Sequence, residues 1–225
     1  MLISLLIQFA DGSLSALDFI KILVFLIVAV TVAMTIHEFS HALASYALGD
    51  STAKYQGRLS LNPFRHMNLM GMLMLLIFGF GWANPVNIQA SKFKHPRSGL
   101  MITAAAGPLS NFIMAFLFTG LYRLTYYMPA DMAVLQYNLT MLIIYIVTLN
   151  ITLGIFNLIP IPPLDGSKIV GELLPLKYRY KYYDLERYYF IILIGLILLL
   201  NYFNFIGFIE SHIINLFDNI WNFIL

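Results

Sequence analysis

Two histidines stand four residues apart, with a glutamate directly after the first, in the sequence HEFSH that runs from His37 to His41. On an α-helix, residues four apart lie on the same face, with Cβ atoms about 5–6 Å apart. Both imidazoles can therefore reach one metal ion at about 2.0–2.1 Å. The glutamate lies about 100° away around the helix, where it can approach a metal-bound water without being a ligand. The pattern predicts two zinc ligands, His37 and His41, and a general base, Glu38.

A catalytic zinc ion usually has three protein ligands and a water, so a third ligand is needed. Asp165 is the best-placed candidate, because it follows an apolar span and lies in the proline-rich sequence IPIPPLDGS. Irregular backbone of this kind occurs at membrane depth where it is buried or lines a cavity. From spacing alone, a plain turn with Asp165 as the cap of the next helix is an equal alternative. The remaining histidines lie in polar loops or in the C-terminal tail and are poorer candidates: His66, His95 and His212.

These groups occur in a chain whose composition is that of a membrane protein. Of 225 residues, 60% are hydrophobic and 11% are charged, whereas a soluble domain has roughly 25% charged residues. We expect one membrane-embedded domain over residues 1–225, with an all-α polytopic fold of about four to five transmembrane helices. The net charge of +2 gives no indication of nucleic-acid binding. The absence of cysteine excludes disulfides and thiolate metal ligands.

Hydropathy divides the chain into spans and shorter elements. The window 67–81 has only 15 residues, which is short for a full crossing and fits a re-entrant segment. Alternating side chains at 54–61 and a strand-like run at 84–89 predict a small β element. The region 188–225 should form a helix followed by an interfacial tail. The predicted spans are near residues 19–48, 98–128, 135–159 and 188–209.

The placement of lysine and arginine predicts the orientation in the membrane. Three loops are basic, whereas the loop near 121–135 has a single arginine. By the positive-inside rule, the basic loops face the cytoplasm. His37 and His41 then lie at a depth similar to that of Asp165, near the cytoplasmic side. The three basic loops are 50–66, 84–97 and 161–187.

Together, these residues resemble the site-2 protease family of intramembrane zinc metalloproteases, whose pattern pairs HExxH with a distant Asn…Pro…Leu-Asp-Gly. The chain has NLIPIPPLDG at 157–166, AAGPLSN ending at Asn111 and GWANPV starting at Gly81. The resemblance covers about residues 20–185, and no PDZ or CBS segment is found, as in the minimal-core branch of the family. It implies a prokaryotic plasma-membrane protein whose active site faces the cytoplasm.

The resemblance also implies an activity and a set of site residues. The activity is zinc-dependent hydrolysis of peptide bonds within or near the transmembrane segments of single-span membrane proteins, with one Zn²⁺ per chain. Taken without the resemblance, the two asparagines are equally well explained as hydrogen-bonding groups between helices or at the proline break. The implied ligands are His37, His41 and Asp165, the implied base is Glu38, and the residues lining the site are Asn111 and Asn157.

Two other function classes remain open at this level. A transporter or metal-permeation protein would place the histidines and Asp165 on an ion path, and it would have more acidic groups at membrane depth than this chain has. A catalytically inactive membrane scaffold would have no need for intact His37, Glu38 and His41.

Overall fold

Three long helices form the centre of the molecule. The computed structural model describes residues 2–78 and 81–225. The helices Ala16–Ala47, Pro96–Thr125 and Ala133–Leu158 pack against one another, and the shorter helices surround them. The α-helices are α1 (Leu2–Ala10), α2 (Ala16–Ala47), α3 (Thr52–Tyr55), α4 (Leu69–Phe78), α5 (Pro96–Thr125), α6 (Ala133–Leu158), α7 (Asp165–Leu173), α8 (Leu176–Tyr183), α9 (Tyr189–Tyr202) and α10 (Phe205–Ile224). Short 3₁₀ turns lie at Pro63–Arg65, Ala90–Lys92, Ala130–Met132 and Asp184–Tyr188.

Two apolar clusters join the central helices to their neighbours. In the first, Val30 of α2 packs with Leu5 of α1 and Leu76 of α4. In the second, Ala115 of α5 packs with Ile151 of α6, and side chains of α10 cover both. Between membrane helices such side chains stabilise the packing through van der Waals contact, because lipid tails are as apolar as they are. The clusters therefore fix the positions of the three helices from which the candidate site is built.

The structure has three or four candidate spans, against the predicted four to five. Three helical segments are long and apolar enough to cross a membrane, and a fourth is obtained if one bent pair of segments counts as a single span. The predicted span at 188–209 is interrupted, because Asn204 has a φ of 47° and the chain bends there by 63°. A residue in this left-handed conformation typically ends a helix. The three segments are Ala16–Ala47, Pro96–Thr125 and Ala130–Leu158, and the bent pair is Leu176–Leu200 with Phe205–Ile224.

The predicted β element is wrong, because no strand is found in the described residues, which include 54–61 and 84–89. The first run begins inside α3 and is then broken at Gly57, where φ is 69°. The second run has no regular secondary structure, and its Gln89 N–H donates to the carboxylate of Asp50 at 2.7 Å instead of to a strand. Two short strands alone are marginally stable in water, so alternation over a few polar residues does not require a sheet.

The short apolar segment at 67–81 folds back on itself. Helix α4 has 10 residues and a length of about 15 Å, half of the bilayer's hydrocarbon thickness of about 30 Å. The chain then returns to the start of the helix, since a Cβ atom on Gly71 would lie 1.9 Å from the carbonyl oxygen of Trp82. The Asn84 side chain and backbone N–H both donate to carbonyls just before α4. The two ends therefore meet, as a re-entrant segment requires; residues 79–80 lie outside the described residues.

A buried carboxylate anchors the loop that follows α2. Asp50 is fully buried, and it accepts hydrogen bonds from the Thr52 N–H at 2.9 Å, the Thr52 hydroxyl and the Gln89 N–H. The Lys92 ammonium lies 3.6 Å from it. Burial raises the pKa of the Asp50 carboxyl, but these hydrogen bonds and the Lys92 charge outweigh it and leave the pKa below its ordinary value.

We expect Asp50→Asn to lower the free energy of unfolding by about 1.5–3 kcal/mol, because hydrogen bonds to a charged acceptor are lost. Because the pKa of Asp50 is lower in the folded state than in the unfolded state, ionisation of this carboxyl stabilises the fold. The stabilisation is complete above the unfolded pKa of about 4 and is lost as pH falls through the folded pKa. At pH values below about 4, the melting temperature of the parent should therefore decrease, and that of the variant should decrease less. Thermal scans in detergent would measure this, with the exposed Asp184→Asn as control. Equal melting curves for the parent and Asp50→Asn would show that the Asp50 carboxylate does not stabilise the loop that follows α2.

Candidate metal centre

Helices α2 and α7 bring three donor atoms together. His37 and His41 lie one turn apart on α2, and Asp165 is the first residue of α7. The two histidine Nε2 atoms lie 3.0 Å apart, and each lies 3.0 Å from Oδ2 of Asp165. All three residues are buried. A triangle of this size can surround one ion at about 2.0–2.1 Å from each donor.

The Nδ1 atom of each imidazole faces an oxygen that can only accept a hydrogen bond. His37 Nδ1 lies 2.7 Å from Oδ1 of Asn111, and His41 Nδ1 lies 2.7 Å from the carbonyl oxygen of Thr103. Each Nδ1 must therefore carry the proton and donate it. In the neutral imidazole, Nε2 is then the unprotonated nitrogen, and its lone pair is directed at Asp165. This is the tautomer that a metal ligand requires.

The amide of Asn111 is oriented by two further contacts. Its nitrogen donates to the Ala33 carbonyl at 3.0 Å and to Oδ1 of Asn150 at 2.9 Å. Only the amide oxygen is then available to His37. Asn150 in turn donates to the Ile146 carbonyl at 2.8 Å. Sequence analysis missed Asn150, although a polar side chain inside a predicted span was the available signal.

With both imidazoles neutral, the three donors meet without a proton between them. The Lys168 ammonium donates to Oδ1 of Asp165 at 2.9 Å, and a positive charge at this distance favours the ionised carboxylate. The carboxylate oxygen and the two Nε2 atoms then all present lone pairs. Acceptors 3.0 Å apart repel one another unless a positive charge lies among them. Two imidazoles and one carboxylate form a ligand set of hydrolytic zinc sites, so the residues fit a zinc ion.

Lys168 occupies the second oxygen of Asp165. Its Nζ donates to Oδ1 at 2.9 Å, which leaves only Oδ2 facing the histidines. A carboxylate that binds through one oxygen leaves room for a fourth, water position. The alternative of Asp165 as a helix cap does not hold, because Leu164 is the N-cap of α7. Sequence analysis missed Lys168, whose position three residues after Asp165 on a helix was the available signal.

Two glycines allow backbone to approach the site closely. A Cβ atom on Gly107 would lie 2.5 Å from Nε2 of His41, so α5 can reach the donors only without a side chain at this position. A Cβ atom on Gly166 would lie 2.1 Å from the Leu158 carbonyl oxygen, where α7 meets the end of α6. The glycines of the AAGPLSN and LDG sequences therefore act through close packing.

Glu38 and Asn157 lie outside the donor triangle. Glu38 is half-buried beside His37, and it forms no hydrogen bond or ion pair with another residue that the structure describes. Asn157 donates to the Leu153 carbonyl at 3.1 Å along its own helix and lines a cavity next to the site. The structure thus brings Asn111 to the ligands and Asn157 to the adjacent cavity, and their roles stay predictions.

Comparisons with known proteins point to one family. The family described as "Peptidase family M50" matches residues 124–201, which include Asp165. "Putative zinc metalloprotease YwhC" of Bacillus subtilis is 38% identical over 178 residues, which cover 79% of this chain and 81% of that protein. "Putative zinc metalloprotease MJ0611" of Methanocaldococcus jannaschii is 30% identical over 156 residues, which cover 67% and 72%.

A more distant relative agrees with this assignment. "Putative zinc metalloprotease Rip2" of Mycolicibacterium smegmatis is 27% identical over 162 residues, which cover 70% of this chain and 60% of that protein. No solved structure matches the chain. The comparisons confirm the resemblance noted from the sequence, and the buried group of two histidines and an aspartate fits the same chemistry. The chain therefore belongs to peptidase family M50, the site-2 protease family of zinc metalloproteases.

Proposed function

We propose that this M50 protease hydrolyses peptide bonds within or near the transmembrane segments of single-span membrane proteins. The supporting observation is that His37 and His41 are buried in a helix, Ala16–Ala47, that is long and apolar enough to cross a membrane. A charged side chain at the centre of a bilayer costs about 2.5–3.5 kcal/mol. Placing ionisable groups there is explained if the chemistry takes place at that depth.

The proposed mechanism divides the work among the site residues. A zinc ion held by His37, His41 and Asp165 would act as a Lewis acid on the scissile carbonyl and lower the pKa of a water. Glu38 is free to take the proton of the attacking water and to deliver it to the leaving amine. Asn111 acts through His37, since it holds that imidazole in the tautomer whose Nε2 faces the metal.

We also propose a location and an orientation. The positive-inside rule supports a site near the cytoplasmic side, because the basic loops follow α2 and α6 at their site-proximal ends. The relatives YwhC and MJ0611 come from a bacterium and an archaeon. Both observations support the plasma membrane of a prokaryotic cell.

We expect the purified protein to bind one zinc ion per chain. His37→Ala should largely abolish binding, and Asp165→Asn should weaken it because an amide is a poorer ligand than a carboxylate. Lys168→Met should reduce zinc affinity by about 10- to 100-fold, as loss of outer-shell contacts typically does. Elemental analysis and chelator competition in detergent would measure this, with Lys177→Met on α8 as the matched control. Full zinc content in His37→Ala would rule out the assigned ligands.

Glu38→Gln should separate chemistry from metal binding. The variant should fold and keep its zinc, while cleavage falls by about 10²–10⁴-fold, the usual contribution of a general base. Co-expression with a tagged single-span membrane protein, with zinc measured in parallel, would show this. If the protein were a permeation protein, Glu38→Gln would change metal flux, and neither the parent nor the variant would cleave the substrate. If it were a scaffold, the substitution would change neither flux nor cleavage. Cleavage by Glu38→Gln at the parent rate would refute the role of Glu38.

A single labelling site tests the orientation. The chain has no cysteine, so Gln56→Cys places one thiol in an exposed position of the first basic loop. We expect a membrane-permeant maleimide to label it in intact cells and an impermeant one to label it only after lysis. Tyr127→Cys, exposed in the loop predicted to lie outside, should show the opposite accessibility. Labelling of Gln56→Cys by the impermeant reagent in intact cells would show that this loop lies outside, opposite to the proposed orientation.

A further inference from the structure

A cavity of about 440 Å³ adjoins the candidate metal centre. Its walls come from α2, α4, α6, α9 and α10. At one end, Ala33 and Met34 lie one turn before His37 on α2, and Leu164 directly precedes Asp165. The volume is in the range of sites that bind ligands, about 300–1,000 Å³. The cavity therefore lies next to the place where a peptide bond would be cleaved.

The cavity is mostly apolar, but one wall carries a carboxylate, Glu210 of α10. Thr148 and Thr152 lie on the facing helix α6, and the Thr152 hydroxyl is 3.5 Å from Oε2 of Glu210, a long hydrogen bond. Asn157 contributes an amide oxygen and one N–H, since its other N–H donates to the Leu153 carbonyl. Among the described residues that line the cavity there is no lysine or arginine. Glu210 is therefore the one ionisable group among these described lining residues.

The folding of α10 does not account for Glu210. Asp218, two turns later, forms an ion pair with Arg123 and ties α10 to α5. The indole of Trp221 also holds α10 in place, since its N–H donates at 2.7 Å to the Phe116 carbonyl. Glu210 forms no ion pair with any residue in the described parts of the chain. An ionisable side chain in an apolar, membrane-embedded setting marks a binding site or a pathway.

We propose that this cavity binds the part of the substrate next to the scissile bond, and that Glu210 selects a residue that carries a positive charge or a side-chain amide. The proposal rests on the proposed intramembrane protease function and names its specificity determinant. The apolar walls accommodate the apolar neighbours of that residue. A lysine, arginine or glutamine would supply a shorter hydrogen bond than the long one from Thr152, and a cationic donor forms the stronger, charge-assisted kind. A substrate carboxylate at the same place would be repelled.

Cleavage of a matched substrate panel in proteoliposomes would test this selection. Each substrate is the same tagged single-span protein with Leu, Gln, Lys or Glu at one of the positions flanking the cleaved bond. At one position, the parent should cleave the Lys and Gln forms about 10- to 100-fold faster than the Leu form, and the Glu form slowest. Glu210→Gln should lose the preference for the Lys form over the Leu form and keep its zinc.

Two further variants make the test specific. Thr152→Val should reduce the Lys preference without abolishing it, because Glu210 loses one neighbour. Ser211→Ala, exposed beside Glu210 on α10, should behave as the parent. If the parent and Glu210→Gln share one profile with no preference at any position, this inference is overturned and the protease function stands. If the parent cleaves none of the substrates, the protease function itself fails and the subsite fails with it.

Cross-linking provides a readout that does not depend on turnover. In a Glu38→Gln background, Ile206→Cys places a thiol in the cavity wall, and Leu216→Cys places one on an exposed face of the same helix. A substrate cysteine next to the selected position should form a disulfide with Ile206→Cys and not with Leu216→Cys. Equal cross-linking to both, or none to Ile206→Cys, would show that the substrate does not enter this cavity.

Discussion

His37, His41 and Asp165 direct three lone pairs at one buried point, with 3.0 Å between donors, and this arrangement is repulsive without a cation. The fold has to hold the donors against that repulsion. It does so by fixing both imidazoles through their Nδ1 atoms, on Asn111 and on the Thr103 carbonyl. In a site preorganised in this way, the ligands need little rearrangement when the metal binds, so little of the binding free energy is lost.

This constraint determines how the three central helices meet. Asn111 of α5 reaches His37 of α2 and Asn150 of α6 at once, so one amide connects all three helices. Leaving one buried polar atom unpaired would cost about 1–3 kcal/mol, which favours a single register among the helices. Gly107 permits the approach, since any side chain there would collide with His41. Polar contacts, more than apolar packing, therefore specify the arrangement around the site.

Buried Asp50 and half-buried Glu210 illustrate two different uses of a carboxylate outside the metal centre. Asp50 is surrounded by donors from Thr52, Gln89 and Lys92, and it fixes the end of α2 to the segment that follows α4. Glu210 accepts a long hydrogen bond from Thr152 and lies close to Thr148, in a mostly apolar cavity and without an ion pair to any described residue. A carboxylate whose charge is paired stabilises the fold, whereas one without an ion pair retains the capacity to bind a ligand. The difference supports a structural role for Asp50 and a recognition role for Glu210.

The sequence alone determined what depends on local spacing: long apolar helices, and His37, Glu38 and His41 disposed around one helical turn. The LDG sequence also indicated a carboxylate at an irregular break. The span count and the absent strands were decided by the tertiary structure, because a left-handed turn and the contacts of Asp50 are not visible in hydropathy. The same holds for Asn150 and for the meeting of Asp165 with His37 across 128 residues. These depend on contacts between distant segments, whose geometry is set only when the helices pack.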